Sequence, residues 1–442
     1  MKKLFNIILI AGLSILAVSC KKEIPQPPVP VSVQLQFENA AFQVEGITVT
    51  LTDAAGTAYF EAVTDATGEA GFTVPAGSYT ASAVYKITKD GERIAYNGSN
   101  NTIVVTPDTA EPFVINLLQV ISQQIIIKEL YNGGCVAADE AGSYQSDQYV
   151  VLYNNSPDVA DASNIVFAIT APYESYTENA YYSSGNTLLY EHEDWIPAAG
   201  ALWWFTAESV TIQPWSQIVV VFKKAVDHTI VNPNSVDLSK PDYYWMNNGS
   251  ITQYSRAGYE VSENIPASHY LTGACFAMSP TGWPITAGGP AFFIGKMPRD
   301  EANALCLDSE KYDVTLGTPM IFAQVKFPKA NVVDAVEVWT KDNESTSHVR
   351  FPADINSNYV SITTKLGYSI YRNVDKGATE ALEENAGKLV YGYTGGTDDI
   401  EGSTDPSGID AEASIANGAH IVYSETNDSK KDFHQRKVAS LK

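Results

Sequence analysis

Four carboxylates fall within one eight-residue stretch late in the chain, at Asp398, Asp399, Glu401 and Asp405. Carboxylate oxygens are the ligands that Ca²⁺ prefers, so this stretch is the candidate metal site of the sequence. The spacing does not match an EF-hand, because acids at alternate positions and the distal glutamate are missing. A solvated acidic loop is therefore the favoured interpretation, and calcium is the one cofactor that stays open.

Two further carboxylates, Glu129 and Asp147, suggest a different chemistry. Two carboxyl groups act together as acid and base in glycoside hydrolysis, where the distance between them sets the mechanism. The sequence does not give that distance, so catalysis is the less favoured role. Asn154 and Asn155 end a strand-like run and could bind a ligand. Asparagines in such places more often complete a turn through their own backbone.

The other reactive residues form no catalytic pattern. No two histidines have the spacing of metal ligands, and neither a Gly-x-Ser-x-Gly motif nor a phosphate-binding loop occurs. We therefore predict a binding or assembly protein and not an enzyme. The histidines are His192, His228, His269, His348, His420 and His434.

Three cysteines follow Cys20, namely Cys135, Cys275 and Cys306. An odd number allows at most one internal disulfide, which an oxidising compartment would permit. Cys275 and Cys306 are the predicted pair, because their separation of 31 residues suits a bond that closes a loop. A zinc site is not expected, since Cys-x-x-Cys and His-x-x-x-His spacings are missing.

Large aromatic residues are concentrated in two long stretches, 171–210 and 225–315. A flat aromatic ring can stack on the C–H-rich face of a sugar, while neighbouring acids hold the hydroxyl groups. Packing inside the protein is the usual role of large aromatics, and it is favoured for each residue taken alone. The candidate ligand-binding residues are Trp203, Trp204, Trp245, Trp283, Tyr243 and Tyr244.

Short strands would position these residues. Residues 31–37 and 47–52 alternate apolar and polar side chains, which predicts strands with one buried face. Turn sequences such as Pro75–Gly77 recur between residues 31 and 118, so this segment reads as a small β-sandwich of about seven strands. The segment resembles the transthyretin-like (carboxypeptidase regulatory-like) module in Gly46–Leu51, Thr64–Phe72 and Pro75–Tyr79. That resemblance implies a spacer or docking role and no chemistry.

Residues 123–442 carry a second pattern. A strand at 124–131 is followed by a glycine-rich loop, a strand that ends at Asn154 and Asn155, and a strand at 164–169. This order resembles the lamin-tail-like domain, an immunoglobulin-like sandwich, with long insertions at 171–210 and 225–315. The predicted fold class is therefore all-β. Further segments that resemble the same family lie at 212–222, 334–339, 367–372 and 426–433.

The first 20 residues are typical of an exported lipoprotein. Lys2 and Lys3 precede an apolar run at 7–18, which is too short to cross a bilayer as a helix and fits the core of a signal peptide. The run ends at Cys20, where acylation of the thiol and then cleavage are predicted. Ala17 stands where such signals usually carry leucine, so an ordinary secretory signal is the alternative. Residues 21–30 carry four prolines and predict a stiff spacer.

The net charge of −23 disfavours nucleic acid and anionic lipid as partners. It suits cationic partners or metal ions, although solubility alone explains it more simply. The whole arrangement resembles a family of uncharacterised lipoproteins from Bacteroides-type bacteria. That resemblance implies an envelope role beside a TonB-dependent outer-membrane receptor.

The sequence patterns predict a lipid-anchored binding or accessory protein, and the resemblance implies a place at the outer membrane with a part in nutrient or metal uptake. The side of the membrane stays open. The alternative is a surface lipoprotein that binds glycans, and a hydrolase is the least favoured function.

Overall fold

The computed structural model describes residues 27–53, 59–89, 92–178, 180–182, 187–247, 259–275, 285–313, 324–396 and 403–442. The chain divides into two compact units. Among the described residues, the first contains those within 27–85 and 96–118, and the second contains those within 86–95 and 119–442.

Strands whose apolar side chains alternate with polar ones form the first unit. Two sheets, ordered β2-β1-β5 and β4-β3-β6-β7, contribute to one core, and β8 pairs in parallel with β1. Val33, Leu35, Val49 and Leu51 are fully buried there. The strands are β1 (Val29–Phe37), β2 (Ala40–Ala41), β3 (Thr48–Asp53), β4 (Tyr59–Val63), β5 (Glu69–Val74), β6 (Gly77–Lys89), β7 (Glu92–Val105) and β8 (Phe113–Asn116).

The first strand begins inside the predicted proline-rich spacer. Val29 pairs with Val74, and Pro30 pairs with Thr73. The spacer prediction was therefore two residues too long at its end. The reason is the alternation of Val29, Val31 and Val33, which are buried and continue one face of the strand.

The second unit is also built mainly from strands. They are β9 (Leu118–Ser122), β10 (Ile125–Tyr131), β11 (Cys135–Val136), β12 (Ser143–Tyr144), β13 (Tyr149–Asn154), β14 (Ala160–Asp161), β15 (Ile165–Ile169), β16 (Trp195–Ala199), β17 (Ala201–Phe205), β18 (Thr211–Ile212), β19 (Gln217–Val221), β20 (Lys224–Ala225), β21 (Tyr244–Met246), β22 (Glu260–Val261), β23 (Tyr270–Cys275), β24 (Ala291–Lys296), β25 (Tyr312–Asp313), β26 (Gln324–Pro328), β27 (Val332–Thr340), β28 (Val360–Ile362), β29 (Ser369–Arg372) and β30 (Phe433–Arg436).

The helices of the second unit are short. Asp375, Asp410 and Asp428 cap the amino ends of α2, α3 and α4, where each side chain accepts a backbone N–H. Across the described ranges, no helix has the length and apolar character needed to cross a membrane. The α-helices are α1 (Arg299–Leu307), α2 (Lys376–Glu380), α3 (Ala411–Ala416) and α4 (Ser429–Asp432), and the 3₁₀ turns are His228–Ile230, Ala267–His269, Ser309–Lys311, Lys329–Asn331, Lys341–Thr346 and Glu383–Asn385.

A twelve-stranded sheet organises the second unit, in the order β28-β27-β24-β15-β17-β23-β21-β19-β13-β10-β29-β30. Strands β10, β13 and β15 are buried along their whole length, which explains their near-continuous apolar sequences. Strand β10 also contacts β27, so the sheet folds back on itself around its core. With few and short helices among the described residues, the predicted all-β class is confirmed.

The two end strands of this sheet, β28 and β30, lie against each other. Gln435 of β30 accepts a hydrogen bond through its side-chain oxygen from the backbone N–H of Thr363, which follows β28. A side chain therefore joins two strands for which no backbone ladder is described.

Candidate binding cavity

Trp203 and Trp204 lie on β17, in the middle of the large sheet. Their exposed fractions are 1% and 5%, and both belong to the main hydrophobic core. Gly273 on the neighbouring strand leaves space for Trp203, because a Cβ there would lie 3.1 Å from the indole ring. Neither ring presents a face on which a sugar could stack, so their placement corrects the ligand-binding assignment and agrees with the packing alternative.

Tyr243, Tyr244 and Trp245 come together at β21. Trp245 is buried and donates from Nε1 to the carbonyl oxygen of Lys223 at 3.1 Å. Tyr244 is half-buried and stacks on His269, with ring centres 4.4 Å apart. His269 in turn donates from Nδ1 to the Tyr243 carbonyl oxygen at 3.2 Å. The two tyrosines therefore remain the partly accessible members of the predicted aromatic set.

Several predicted residues lie outside the described part of the chain. These are Cys20, Trp283, Asp398, Asp399 and Glu401, together with the side chain of Cys275. Their predicted roles, including the disulfide and the calcium site, stay predictions.

The structure does describe Cys306 of the predicted disulfide and Asp405 of the predicted calcium site, and both are buried. Cys306 lies on α1 and is fully buried. Asp405 accepts backbone N–H groups from Val374 at 2.9 Å and from Ser407 at 2.8 Å, and burial raises its pKa. Among the described residues, no cluster of three or more His, Cys, Asp or Glu side chains could hold a metal ion.

Glu129 and Asp147 are both buried, and each has its own set of donors. Glu129 accepts from the Ser369 hydroxyl at 2.6 Å and from the Ser440 backbone N–H at 2.9 Å. Asp147 accepts from the Ser235 hydroxyl at 2.6 Å and from the Tyr131 hydroxyl at 3.2 Å. Burial raises the pKa of both carboxyl groups. The two carboxylates therefore serve to join chain segments that are distant in the sequence.

The amides of Asn154 and Asn155 are likewise used inside the fold. Asn154 donates to the carbonyl oxygens of Asp158 and Ile212, at 2.6 and 2.9 Å. Asn155 exchanges two hydrogen bonds with the backbone of Tyr423, at 3.0 and 2.9 Å. These bonds favour the turn and packing interpretation over a ligand site.

A buried charge network that sequence reasoning missed lies under β10, β27 and β29. The Arg372 guanidinium contacts Asp334 through Nη2 and Glu425 through Nη1, each at 2.5 Å. Its Nε donates to the Ile127 carbonyl oxygen at 2.6 Å, and the group lies 4.2 Å above the Phe433 ring. One cation is therefore surrounded by protein on every described side.

A third carboxylate makes the network unbalanced. Asp432 is buried beside the pair and accepts from the backbone N–H and the hydroxyl of Thr426, each at 2.8 Å. The negative charge of Asp432 contributes to raising the pKa of Asp334, and the negative charge of Glu425 contributes to raising the pKa of Asp432. Three buried carboxyl groups thus face one guanidinium.

Burial of this excess charge changes the acidity of the network. Desolvation raises the pKa of Glu425 to about 7, against the attraction of Arg372, and the neighbouring Asp334 adds to the rise. Desolvation also raises the pKa of Asp432 to about 7, and the charge of Glu425 adds to it. A proton is therefore held here at mildly acidic pH, because burial and like charges both disfavour the ionised form.

A different buried pair shows the balanced arrangement. Arg350 and Glu337 are both fully buried, and Arg350 donates from Nε to Glu337 at 2.9 Å. The carbonyl oxygens of Pro172 and Gly289 accept from the remaining guanidinium nitrogens, each at 2.9 Å. The one positive charge of Arg350 is therefore balanced by the one negative charge of Glu337, as expected of a structural ion pair.

A cavity of about 320 Å³ opens onto the unbalanced network. Asp334 and Glu425 line it, and they are only 3% and 7% exposed. Its volume is at the lower end of the range of small-molecule sites. The other walls combine aliphatic side chains, two charged groups and three amides, namely Ala330, Val332, Val333, Ile355, Lys329, Asp354, Gln119, Gln123 and Asn427.

The charges at the rim of this cavity already have partners. Lys329 donates from Nζ to the Glu191 carbonyl oxygen at 2.7 Å and lies 3.5 Å from Asp354. Lys329 is only 10% exposed, whereas Asp354 is 58% exposed. The rim pair therefore adds no net positive charge to offset the carboxylates below it.

The raised pKa values of Glu425 and Asp432 predict that stability falls as pH rises. Both values lie above the ordinary 4.5 and 3.8, so the folded state binds more protons than the unfolded state between about pH 4 and 7. Their contribution is favourable below this window and is lost as pH rises through it. Asp432→Asn should reduce the loss by on the order of 2 kcal/mol between about pH 5 and 8.

Urea denaturation of both proteins at the two pH values measures this effect. Asp242→Asn is the matched control, because Asp242 is exposed. If wild type and Asp432→Asn lose the same stability between the two pH values, Asp432 does not hold the proton.

A second groove, of about 450 Å³, lies along β1 and β5 in the first unit. Its walls are formed by small or polar residues such as Ser32, Gly71 and Thr73, with Phe72 as the one aromatic. It has no buried charge of the kind found in the second unit, so the cavity above Asp334 and Glu425 is the stronger candidate.

The fold and the cavity thus define an all-β protein of two units with a small, negatively charged site in the second. Residues 213–407 match the model of DUF4876, a protein family of unknown function. A search of the curated proteins gave no match.

One solved structure supports the fold. A crystal structure of a DUF4876 family protein from Bacteroides thetaiotaomicron is similar, with a TM-score of 0.50, 19% identity, and coverage of 92% of this chain and 94% of that chain. A DUF3823 family protein from Parabacteroides merdae aligns with 42% of this chain and 92% of its own, at 11% identity and a TM-score of 0.16. The predicted resemblance to a Bacteroides-type family of uncharacterised proteins is confirmed to this extent. The lipoprotein, transthyretin-like and lamin-tail-like features stay predictions.

Proposed function

We propose that the protein is a lipid-anchored binding protein of the bacterial cell envelope, which works beside an outer-membrane receptor in the uptake of a nutrient or metal complex. The binding role is carried by one observation, the cavity above Asp334 and Glu425. The anchor is supported by the apolar run that ends at Cys20 and by the proline-rich residues behind it.

Binding is favoured over catalysis because the charged groups beside the cavity are bonded to one another and to the backbone. The Arg372 guanidinium and the two carboxylates are tied to each other and to the backbone of Ile127. Such a network gives the cavity a fixed electrostatic surface. A preorganised charge in a small cavity is what selective binding of a small ligand requires.

Cys20→Ala is expected to release the protein from the membrane fraction. The substitution removes the thiol that would carry the lipid, and one or more acyl chains supply most of the membrane affinity of such proteins. Fractionation of cells that express wild type or Cys20→Ala measures the result, with Cys135→Ala as the control that keeps Cys20. A Cys20→Ala protein that stays with the membrane would contradict the anchor.

The partner can be sought by affinity purification from membranes in mild detergent. We expect an outer-membrane receptor to copurify with wild type and to be lost with Cys20→Ala when both are expressed at the same level. Purification of the wild-type protein without any envelope protein would remove the receptor from the proposal and leave the cavity to be tested separately.

Glycan binding is the second candidate, favoured by the half-buried Tyr243 and Tyr244 beside His269. A glycan array with wild type and Tyr244→Ala would test it. A sugar signal that is lost in Tyr244→Ala supports this candidate, and a wild type without any sugar signal removes it.

A further inference from the structure

We infer that the cavity above Asp334 and Glu425 binds a small organic cation, an alkylammonium or guanidinium group carried on an aliphatic stem. This inference rests on the proposed binding function and names the class of ligand.

The first argument is the charge of the buried network beside the cavity, in which Asp334 and Glu425 line the cavity and Asp432 lies next to them without lining it. Asp334, Glu425 and Asp432 are buried within one network, and Arg372 is the cation that contacts it. Buried charge is tolerated when it is paired, so the excess must be met by a proton or by a bound cation. The proton occupies the site at mildly acidic pH, and a cation entering the cavity would replace it at higher pH.

The second argument is that the cation in the network is committed to the protein. Each nitrogen of Arg372 that has a described bond faces Asp334, Glu425, Ile127 or the Ser424 carbonyl oxygen. Phe433 covers its face. Arg372 therefore stays within the network, and the charged residues of the network that line the cavity are the acids Asp334 and Glu425.

The third argument is the shape and chemistry of the walls. Val332, Val333 and Ile355 offer an apolar surface to an aliphatic stem, and Gln123 and Asn427 line the same cavity. A metal ion is not favoured, because no group of three ligating side chains exists among the described residues. A hydrated ion would also gain nothing from the aliphatic wall, whereas an alkylammonium is stabilised by both parts of the cavity.

Calorimetric titration of the full protein at pH 8, in buffer without amines, tests the inference. n-Pentylamine is the probe, and 1-pentanol is its matched neutral partner with the same stem. We expect pentylamine to bind at least about tenfold more tightly than pentanol, the ratio expected for one charge-assisted hydrogen bond. Equal affinity for the two probes would overturn the inference.

Two variants locate the site. Glu425→Gln removes one carboxylate and should weaken pentylamine about tenfold or more, while Glu208→Gln, the same change at an exposed position, should have no effect. Ala330→Trp places a large ring at the exposed edge of the cavity and should abolish binding. If Glu425→Gln does not fold, Ala330→Trp decides alone. Pentylamine binding unchanged by Ala330→Trp would contradict the site.

The same experiment can distinguish a free amine from a lysine side chain of a protein as the source of the cation. The blocked peptide Gly-Lys-Gly, against the same peptide with norleucine, tests whether a lysine side chain of a protein fits as well as a free amine. Binding of either cation supports the inference, and binding of neither overturns it. In that case a neutral ligand whose binding is lost in Ala330→Trp would still support the proposed binding function, so the two failures are distinguishable.

Discussion

Arg372→Met should destabilise the protein by about 3–5 kcal/mol, the usual loss when one partner is removed from a buried ion pair. The substitution keeps an unbranched side chain over Phe433 but leaves Asp334, Glu425 and Asp432 without their cation. The loss should be larger at pH 8 than at pH 5, because the carboxyl groups can take up protons at the lower pH. Urea denaturation at both pH values measures it.

Arg299→Met is the matched control for this experiment. Arg299 donates to the carbonyl oxygens of Thr206 and Ala207 near the surface, at 3.0 and 3.1 Å, so its replacement should remove about 1 kcal/mol at either pH. If Arg372→Met unfolds at the same urea concentration as wild type at pH 8, the network contributes no stability and the charge argument for the cavity fails with it.

Trp203→Ala should destabilise the protein by about 3–5 kcal/mol, because it removes a fully buried indole from the main core and leaves a cavity. Thermal denaturation of the full chain measures this loss. The result separates the two roles weighed for this residue, since a ligand-stacking tryptophan on the surface would be replaced at little cost to stability.

Tyr391→Ala provides the comparison for Trp203→Ala. Tyr391 is 55% exposed, and the loss of its ring should change stability by less than about 1 kcal/mol. A Trp203→Ala protein as stable as Tyr391→Ala would mean that the indole is not part of the core.

The strands were predictable because their pattern is simple. Alternation at residues 31–37 predicts β1 with one buried face, and the apolar runs at 124–131 and 164–169 predict strands, which the structure buries on both faces. The predicted all-β class follows from these local patterns. Pro30 misled the boundary of the spacer, because its composition resembles a linker although its backbone position pairs with Thr73.

The roles of the large aromatics depend on tertiary structure, and the sequence does not give it. Trp203 and Trp204 stand in a strand with alanine and leucine, which is a signal for burial that outweighs their chemistry. Tyr243 and Tyr244 have a more polar neighbourhood and stay partly accessible. Local apolar context is therefore the better guide to whether an aromatic packs or binds.

The charge network was missed because its members are far apart in the chain. Asp334, Arg372 and Asp432 lie in three segments that are far apart in the sequence, and the structure brings these segments together. A signal was present in two of these segments, since Asp334 and Arg372 are charged residues among apolar ones within strands. Charged residues in such positions predict buried pairs, but the partner of each can be found only from the fold.

Exposed sheet edges are the places where one β-protein adds to another, strand upon strand. In the second unit the amide of Thr363 is already occupied by Gln435 of its own chain, and β28 and β30 shield each other. The two end strands of this sheet therefore lie against each other and not against a second chain. Gln435 thereby uses its side chain to take up a backbone N–H group at the place where a further strand would otherwise add.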